Sequence, residues 1–188
     1  AEELSIIRSY KLREEFPPGV EREAERQAAR KISAEDLADR KDLRDALIVT
    51  IDGEDTRDID DAVSLERLGT EYLLGVHIAD VSHYVKYRSP LDKEAFSRGT
   101  SVYFPDRVLP MLPRALSNGS CSLNEGEDRL TLSCIMRVDK KGAVKDSEIV
   151  KSVIRSAHRM TYTEVTQILN GDGETLSLIH ISEPTRPY

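Results

Sequence analysis

Five of the ten residues from Asp52 to Asp61 are aspartate: Asp52, Asp55, Asp58, Asp60 and Asp61. Asp52 closes an apolar run, ALIVTID, and Asp58, Asp60 and Asp61 return six to nine residues later. A loop of that length can fold back on its own strand and bring the carboxylates together. Like charges ~4 Å apart repel by roughly 1 kcal/mol in bulk water, and several-fold more once partly desolvated. A bound cation removes that cost, and an all-oxygen donor set suits a hard divalent ion, Mg²⁺ or Mn²⁺. The competing readings are a solvated acidic turn and a calcium loop. The EF-hand register fails from Asp52, with Arg57 in the glycine position and Val63 in the bidentate glutamate position. From Asp58 it fails again, with Val63 and Gly69 in those places. Two hard cations ~3.5–4 Å apart can stabilise the attacking and leaving oxygens of phosphoryl transfer, and four aspartates could hold such a pair.

The elements that must position this loop are short and mostly extended. Ala46–Asp52 is β-branched and apolar, the best strand in the chain; Asp58–Leu65 alternates less cleanly, and Tyr72–Val81 reads as a further strand. The acidic segment thus lies on a strand–loop–strand unit. Leu130–Val138 and Ala143–Val153 flank Asp139-Lys140-Lys141-Gly142, a hairpin signal. Helices are expected at Val20–Ile32, packing weakly, and over a short turn to Arg40 capped by Ser33. Leu91–Arg98 is a third, with Pro90 at its first position and Gly99 after its end; Thr161–Gly171 is a fourth, with a Thr161/Glu164 capping box. Val102–Pro113, with its prolines, is expected to be an ordered loop with short extended pieces. Sequential strands look antiparallel, and the fold class is α+β, a mostly antiparallel sheet with flanking helices.

The chain has 188 residues, 39% hydrophobic and 32% charged, enough for one modest core. No run approaches the ~18 apolar residues of a membrane span, and two cysteines, Cys121 and Cys134, suggest buried thiols in a reducing compartment. The expected location is cytoplasmic, with no membrane partner and no organic cofactor. A net charge of −7 argues against a general nucleic-acid binder. The acidic excess is partly local to Asp52–Asp61, however, and bound metal would invert the sign there.

Thr50–Ala62, together with HIADVSHYV (His77–Val85), PLDKEAFSRGTSVYFPDRVLPMLP (Pro90–Pro113) and LSNGSCSLN (Leu116–Asn124), resembles the catalytic (RNB) domain of the ribonuclease II/ribonuclease R family, and more closely its ribonuclease R branch. The resemblance implies a 3′→5′ exoribonuclease that hydrolyses single-stranded RNA to nucleoside 5′-monophosphates with Mg²⁺ or Mn²⁺, in a parent protein expected to be monomeric. It places Asp52, Asp58, Asp60 and Asp61 on the family's four active-site aspartates. Asp52 and Asp61 would be direct ligands, Asp58 a support, and Asp60 the residue of the chemical step. Tyr103 falls on the aromatic residue that clamps the 3′-terminal nucleotides. Read from its neighbours Phe104 and Pro105 alone, Tyr103 is a loop-packing aromatic.

The same comparison divides the chain into residues 1–43, a segment leading into the catalytic domain; 44–175, the N-terminal part of that domain; and 176–188, LSLIHISEPTRPY. This tail resembles translated sequencing adapter and is expected to be non-native, so His180 is not treated as a site. The whole is expected to be a fragment, and an incomplete metal-binding piece without activity is the alternative. Arg57 is open to two roles, a phosphate contact or a salt bridge to a neighbouring aspartate. His77, His83 and His158 have no metal-ligand spacing and are expected to pack or face solvent. Asp80 could support the site, though a strand-end hydrogen bond suffices. The cysteines read as small hydrophobes, and Lys140, Lys141, Lys145 and Lys151 as a solvated face.

Overall fold

The computed structural model describes residues 2–171, so the 176–188 tail lies outside the described residues. In chain order the elements are α1 (Glu2–Ser9), α2 (Pro18–Ala28), α3 (Ala34–Leu37), β1 (Lys41–Asp42), β2 (Ile48–Asp52), β3 (Asp61–Leu68) and β4 (Glu71–Ala79). There follow α4 (Val81–Tyr84), α5 (Pro90–Arg98), β5 (Val102–Tyr103), β6 (Val108–Leu109), a π-helical turn (Leu116–Ser120), β7 (Asp128–Asp139), β8 (Val144–Arg155), β9 (His158–Thr161) and α6 (Tyr162–Leu169).

Seven strands form one sheet in the order β1-β8-β7-β4-β3-β2-β9, and β5 and β6 form a separate hairpin. The five central strands pair antiparallel, as expected. The two edges do not: β1 lies parallel to β8, and β9 parallel to β2. The β9 pairing puts Thr161 opposite Asp52 and Arg159 opposite Thr50, so the strand that ends in Asp52 has neighbours on both sides. The mixed α+β class holds.

Local signals explain the helix ends. Ser33 and Asp36 cap each other, as do Thr161 and Glu164. The Ser89 hydroxyl accepts from the Asp92 amide ahead of Pro90, and Gly99 at φ 76° ends α5. The helices cover one face of the sheet. Val20 and Ala24 of α2 and Leu91 and Ala95 of α5 meet Ile48, Ala62, Ala79 and Ile154 of the sheet, with Leu116, Cys121 and Leu123 completing the core. Fully burying one such Leu or Ile contributes roughly 1.5–3 kcal/mol. The expectation that α2 packs weakly is thus corrected. Val20 and Ala24, one turn apart, point into the core, and buried Glu23 accepts from the Leu91 amide at the start of α5 (3.2 Å).

Under the same face runs a buried polar chain. His77, 1% exposed, touches the Ser64 hydroxyl through Nε2 (3.0 Å) and the Ser133 hydroxyl through Nδ1 (2.6 Å). Ser133 continues to Ser152, and Ser152 to Thr131. Arg40 donates to the Thr131 and Ser152 carbonyls and forms a buried ion pair with Asp80 (2.6 Å). Asp80 therefore serves the fold. Burial raises its pKa, but the hydrogen bonds from Arg40 and Ser82 outweigh that and hold it below the usual carboxylate value.

Candidate active site

The acidic loop joins β2 to β3 and is fixed through its backbone. Ile59 is buried (1% exposed) and anchors the loop, leaving Asp58 half-buried and Asp60 open to solvent on either side of it. Three outside elements hold the loop. Ser122, fully buried, accepts from the Ile59 amide (3.1 Å) and donates to the Arg57 carbonyl (2.9 Å), and the Leu123 amide donates to the Ile59 carbonyl (2.9 Å). The Ala79 amide donates to the Asp60 carbonyl. Arg159, from β9, donates to the carbonyls of Glu54 (3.0 Å) and Thr56 (2.5 Å). Arg129 in turn braces the π-helical turn, donating to the carbonyls of Ser122 (2.6 Å) and Gly119 (3.2 Å). This is why the distant LSNGSCSLN segment matters: it grips the loop that carries the aspartates.

The four predicted aspartates feel one another. The Asp60 carboxyl is raised above its ordinary pKa, first by desolvation from the protein around it and then by the charges of Asp58, Asp61 and Asp52. Asp52 is raised by burial first, then by Asp61 and Asp58, with Arg159 pulling the other way. Asp52 Oδ2 is shielded from solvent and has no hydrogen-bond partner among the described residues, which is costly for a carboxylate oxygen. Among the described residues no three carboxylate, His or Cys side chains converge as a ready-made metal cage. The donor chemistry nonetheless fits a hard divalent cation, with four carboxylates and an orphaned oxygen.

Tyr103 is 65% exposed, and its hydroxyl donates to Asp58 Oδ2 (2.9 Å). Burial of the hydroxyl end and this carboxylate raise its pKa. The residue is not packed into the loop beside Phe104 and Pro105, and its ring is available at the acidic site. The histidines stand apart: His77 lies in the polar chain, and His83 is 3.3 Å from Asp36. Cys121 is buried in the core, its thiol pushed up to about 12 by desolvation and by the charge of Asp60.

The residue pattern and its placement agree with what known proteins show. The RNB domain family matches residues 40–180. The chain belongs to the RNB domain family. The RNB relative "Ribonuclease R" of Thermotoga maritima is 57% identical over 168 residues, spanning 88% of this chain and 24% of the relative. Among solved RNB structures, RNase R of Mycoplasma genitalium in complex with ribose methylated single-stranded RNA superposes with a TM-score of 0.84 at 33% identity. That match covers 92% of this chain and 28% of that one. The same enzyme in complex with double-stranded RNA gives the same TM-score. The chain thus spans about a quarter of the length of the curated RNB relatives it matches.

Sequence reasoning missed two side chains that hold the acidic loop in place. Ser122 lies inside a segment that carried the resemblance, yet nothing in its type marks it as a loop anchor. Arg159 sits in a four-residue strand whose pairing with β2 joins residues more than 100 positions apart, and only the folded chain reveals it.

Proposed function

We propose that this chain carries the phosphodiester-cleaving site of a 3′→5′ exoribonuclease that acts on single-stranded RNA and releases nucleoside 5′-monophosphates. The observation that supports this reading most is the crowding of Asp52, Asp58, Asp60 and Asp61. Desolvation, and after it the charges of the neighbouring aspartates, raises the pKa of Asp60 and of Asp52, whose Oδ2 has no hydrogen-bond partner among the described residues. Mg²⁺ or Mn²⁺, when bound there, would offset the carboxylate charge, polarise the phosphoryl group and make water a better nucleophile. Asp52 and Asp61 would hold the ion, with Asp58 supporting it. Asp60 holds a proton more tightly than an ordinary aspartate, which suits its carboxylate to take one from the attacking water. Tyr103, tethered to Asp58 through its hydroxyl, would stack a terminal base on its open ring, a contact worth roughly 1–3 kcal/mol and indifferent to sequence. RNA is the bound molecule in two solved relatives, and that supports the substrate class.

We take residues 44–175 as part of the catalytic domain and 1–43 as the segment leading into it, a segment that packs onto the domain through α2. The site belongs to a soluble, cytoplasmic protein in this reading; among the described residues no helix is long and apolar enough to cross a membrane.

The test supplies the 188-residue chain with Mg²⁺ and 3′-labelled single-stranded RNA. Labelled nucleoside 5′-monophosphate should appear, and Asp60→Asn should slow its release by roughly 10²–10⁴-fold. Undiminished release by that variant would refute the assigned chemistry. Because the chain spans only a quarter of its relatives, a second reading is a metal-binding piece without turnover. It predicts a Mg²⁺-shifted melting temperature with no release of monophosphate.

A further inference from the structure

Beside Asp58 lies a cavity of about 240 Å³ lined by Asp55, Arg57, Asp58, Arg114, Ser117 and Asn118, with Val108 and Pro110 closing one side. The cavity thus presents two guanidinium groups beside the acidic loop. Other arginines, including Arg40, Arg44, Arg98, Arg129 and Arg155, are held by carboxylates. Arg57 and Arg114 are exposed, and among the described residues neither guanidinium has a hydrogen-bond or ion-pair partner, although Asp55 and Asp58 line the same cavity. The salt bridge that the sequence left open for Arg57 is not made.

The cavity is also joined to the site already described. Val108 is the direct cross-strand partner of Tyr103 in the β5–β6 hairpin, so one hairpin carries both the aromatic ring and the cavity wall. Asp58 faces the cavity and accepts from the Tyr103 hydroxyl. Ser117 and Asn118, at the start of the π-helical turn, add neutral polar groups to the lining.

We infer that Arg57 and Arg114 form a phosphate subsite that takes the RNA backbone next to the nucleotide stacked on Tyr103. A planar guanidinium without a carboxylate partner is suited to grip a phosphodiester. Two of them at one end of an acidic centre give the strand an attractive path that the carboxylates alone would deny it. Ser117 and Asn118 would complete the contacts to phosphate oxygens or the ribose. The inference rests on the RNA reading of the acidic site, since a phosphodiester strand must reach that site for the subsite to have work.

The probe is a 5′-fluorescein-labelled, ribose-methylated 12-mer of oligouridylate, bound to the 188-residue chain with 5 mM Mg²⁺ and followed by anisotropy from 50 to 300 mM salt. Each phosphate contact to a single strand adds about 0.7 to the slope of log affinity against log salt. Arg57→Gln with Arg114→Gln should therefore flatten the slope by about 1.4 and weaken binding roughly tenfold or more at the lowest salt. Arg57→Lys with Arg114→Lys keeps the charges and should restore most of the slope. Arg67→Gln, whose side chain among the described residues donates to the Gly69 carbonyl, should leave it unchanged. An unaltered slope in the double Gln variant, with wild-type binding intact and an unchanged melting curve, would overturn the subsite while leaving the RNA reading in place. No binding by the wild-type chain at 50 mM salt would overturn both.

Discussion

His77 shows how a single residue can be chemically conspicuous and serve only the fold. It is buried between the Ser64 and Ser133 hydroxyls, and desolvation pushes its pKa down to about 4. In the unfolded chain the imidazole titrates near 6.5. Between those values the unfolded state holds more protons, so stability is present above pH 6.5 and lost as pH falls toward 4. The full shift corresponds to about 3 kcal/mol. Urea unfolding of the wild type and of His77→Gln, measured from pH 7 to pH 4, should show the gap between them closing by about that amount. A constant gap would mean that the His77 imidazole takes up protons in the fold as readily as in the unfolded chain. Asp52 and Asp60 of the candidate site carry the opposite sign. Their raised pKa values mark charges that the fold tolerates poorly, and it is among them, not at the histidines, that ligand chemistry is expected.

At the scale of elements, Gly75 in β4 makes room for that buried histidine. A Cβ there would stand 2.4 Å from Ser64 Oγ and 2.7 Å from His77 Nε2. Gly75→Ala should therefore cost roughly 1–3 kcal/mol, as overpacking of a core does, and a thermal melt at pH 7 would register it; an unchanged melting temperature would place slack in the sheet where the structure has none. The β7–β8 hairpin, α3, α5 and α6 were legible in the sequence because their signals are local: Asp139 to Gly142, Ser33 with Asp36, Ser89-Pro90, Thr161 with Glu164. The strand–loop–strand frame of the aspartates was legible for the same reason, since β2 is apolar and ends in Asp52. The edge strands β1 and β9 were not. Two and four residues long, they exist only by pairing in parallel with strands far away in sequence, and such pairing leaves no periodicity to read. The grip of Ser122 and Arg159 on the loop belongs to the same class of long-range contact. The weak packing expected of α2 was an error of emphasis: its many charges hid the Val20/Ala24 pair that reaches the core.

For the whole molecule, the helices and the acidic loop settle on one sheet so that residues from 52 to 159 meet around one loop. The opposite face of that sheet carries Leu65, Ile78, Leu132 and Ile149 at the surface. A metal site on this loop would draw on carboxylates that the fold ionises at a cost. With folded pKa values raised, Asp52 and Asp60 favour the fold fully only below the unfolded value of 3.8 and lose that contribution as pH rises through their raised values. At pH 7 they therefore oppose folding until a cation relieves them. The most direct measurement is the melting temperature of the 188-residue chain at pH 7 in EDTA and in Mg²⁺, beside the Asp52→Asn/Asp61→Asn double variant. Saturation at 100 times the dissociation constant adds about 2.7 kcal/mol, or roughly 5–10 °C for a chain of this size. The wild type should rise by that order in Mg²⁺ and the double variant by much less, while melting above the wild type in EDTA. Equal Mg²⁺ shifts in both proteins, or none in either, would contradict a metal site built on these carboxylates.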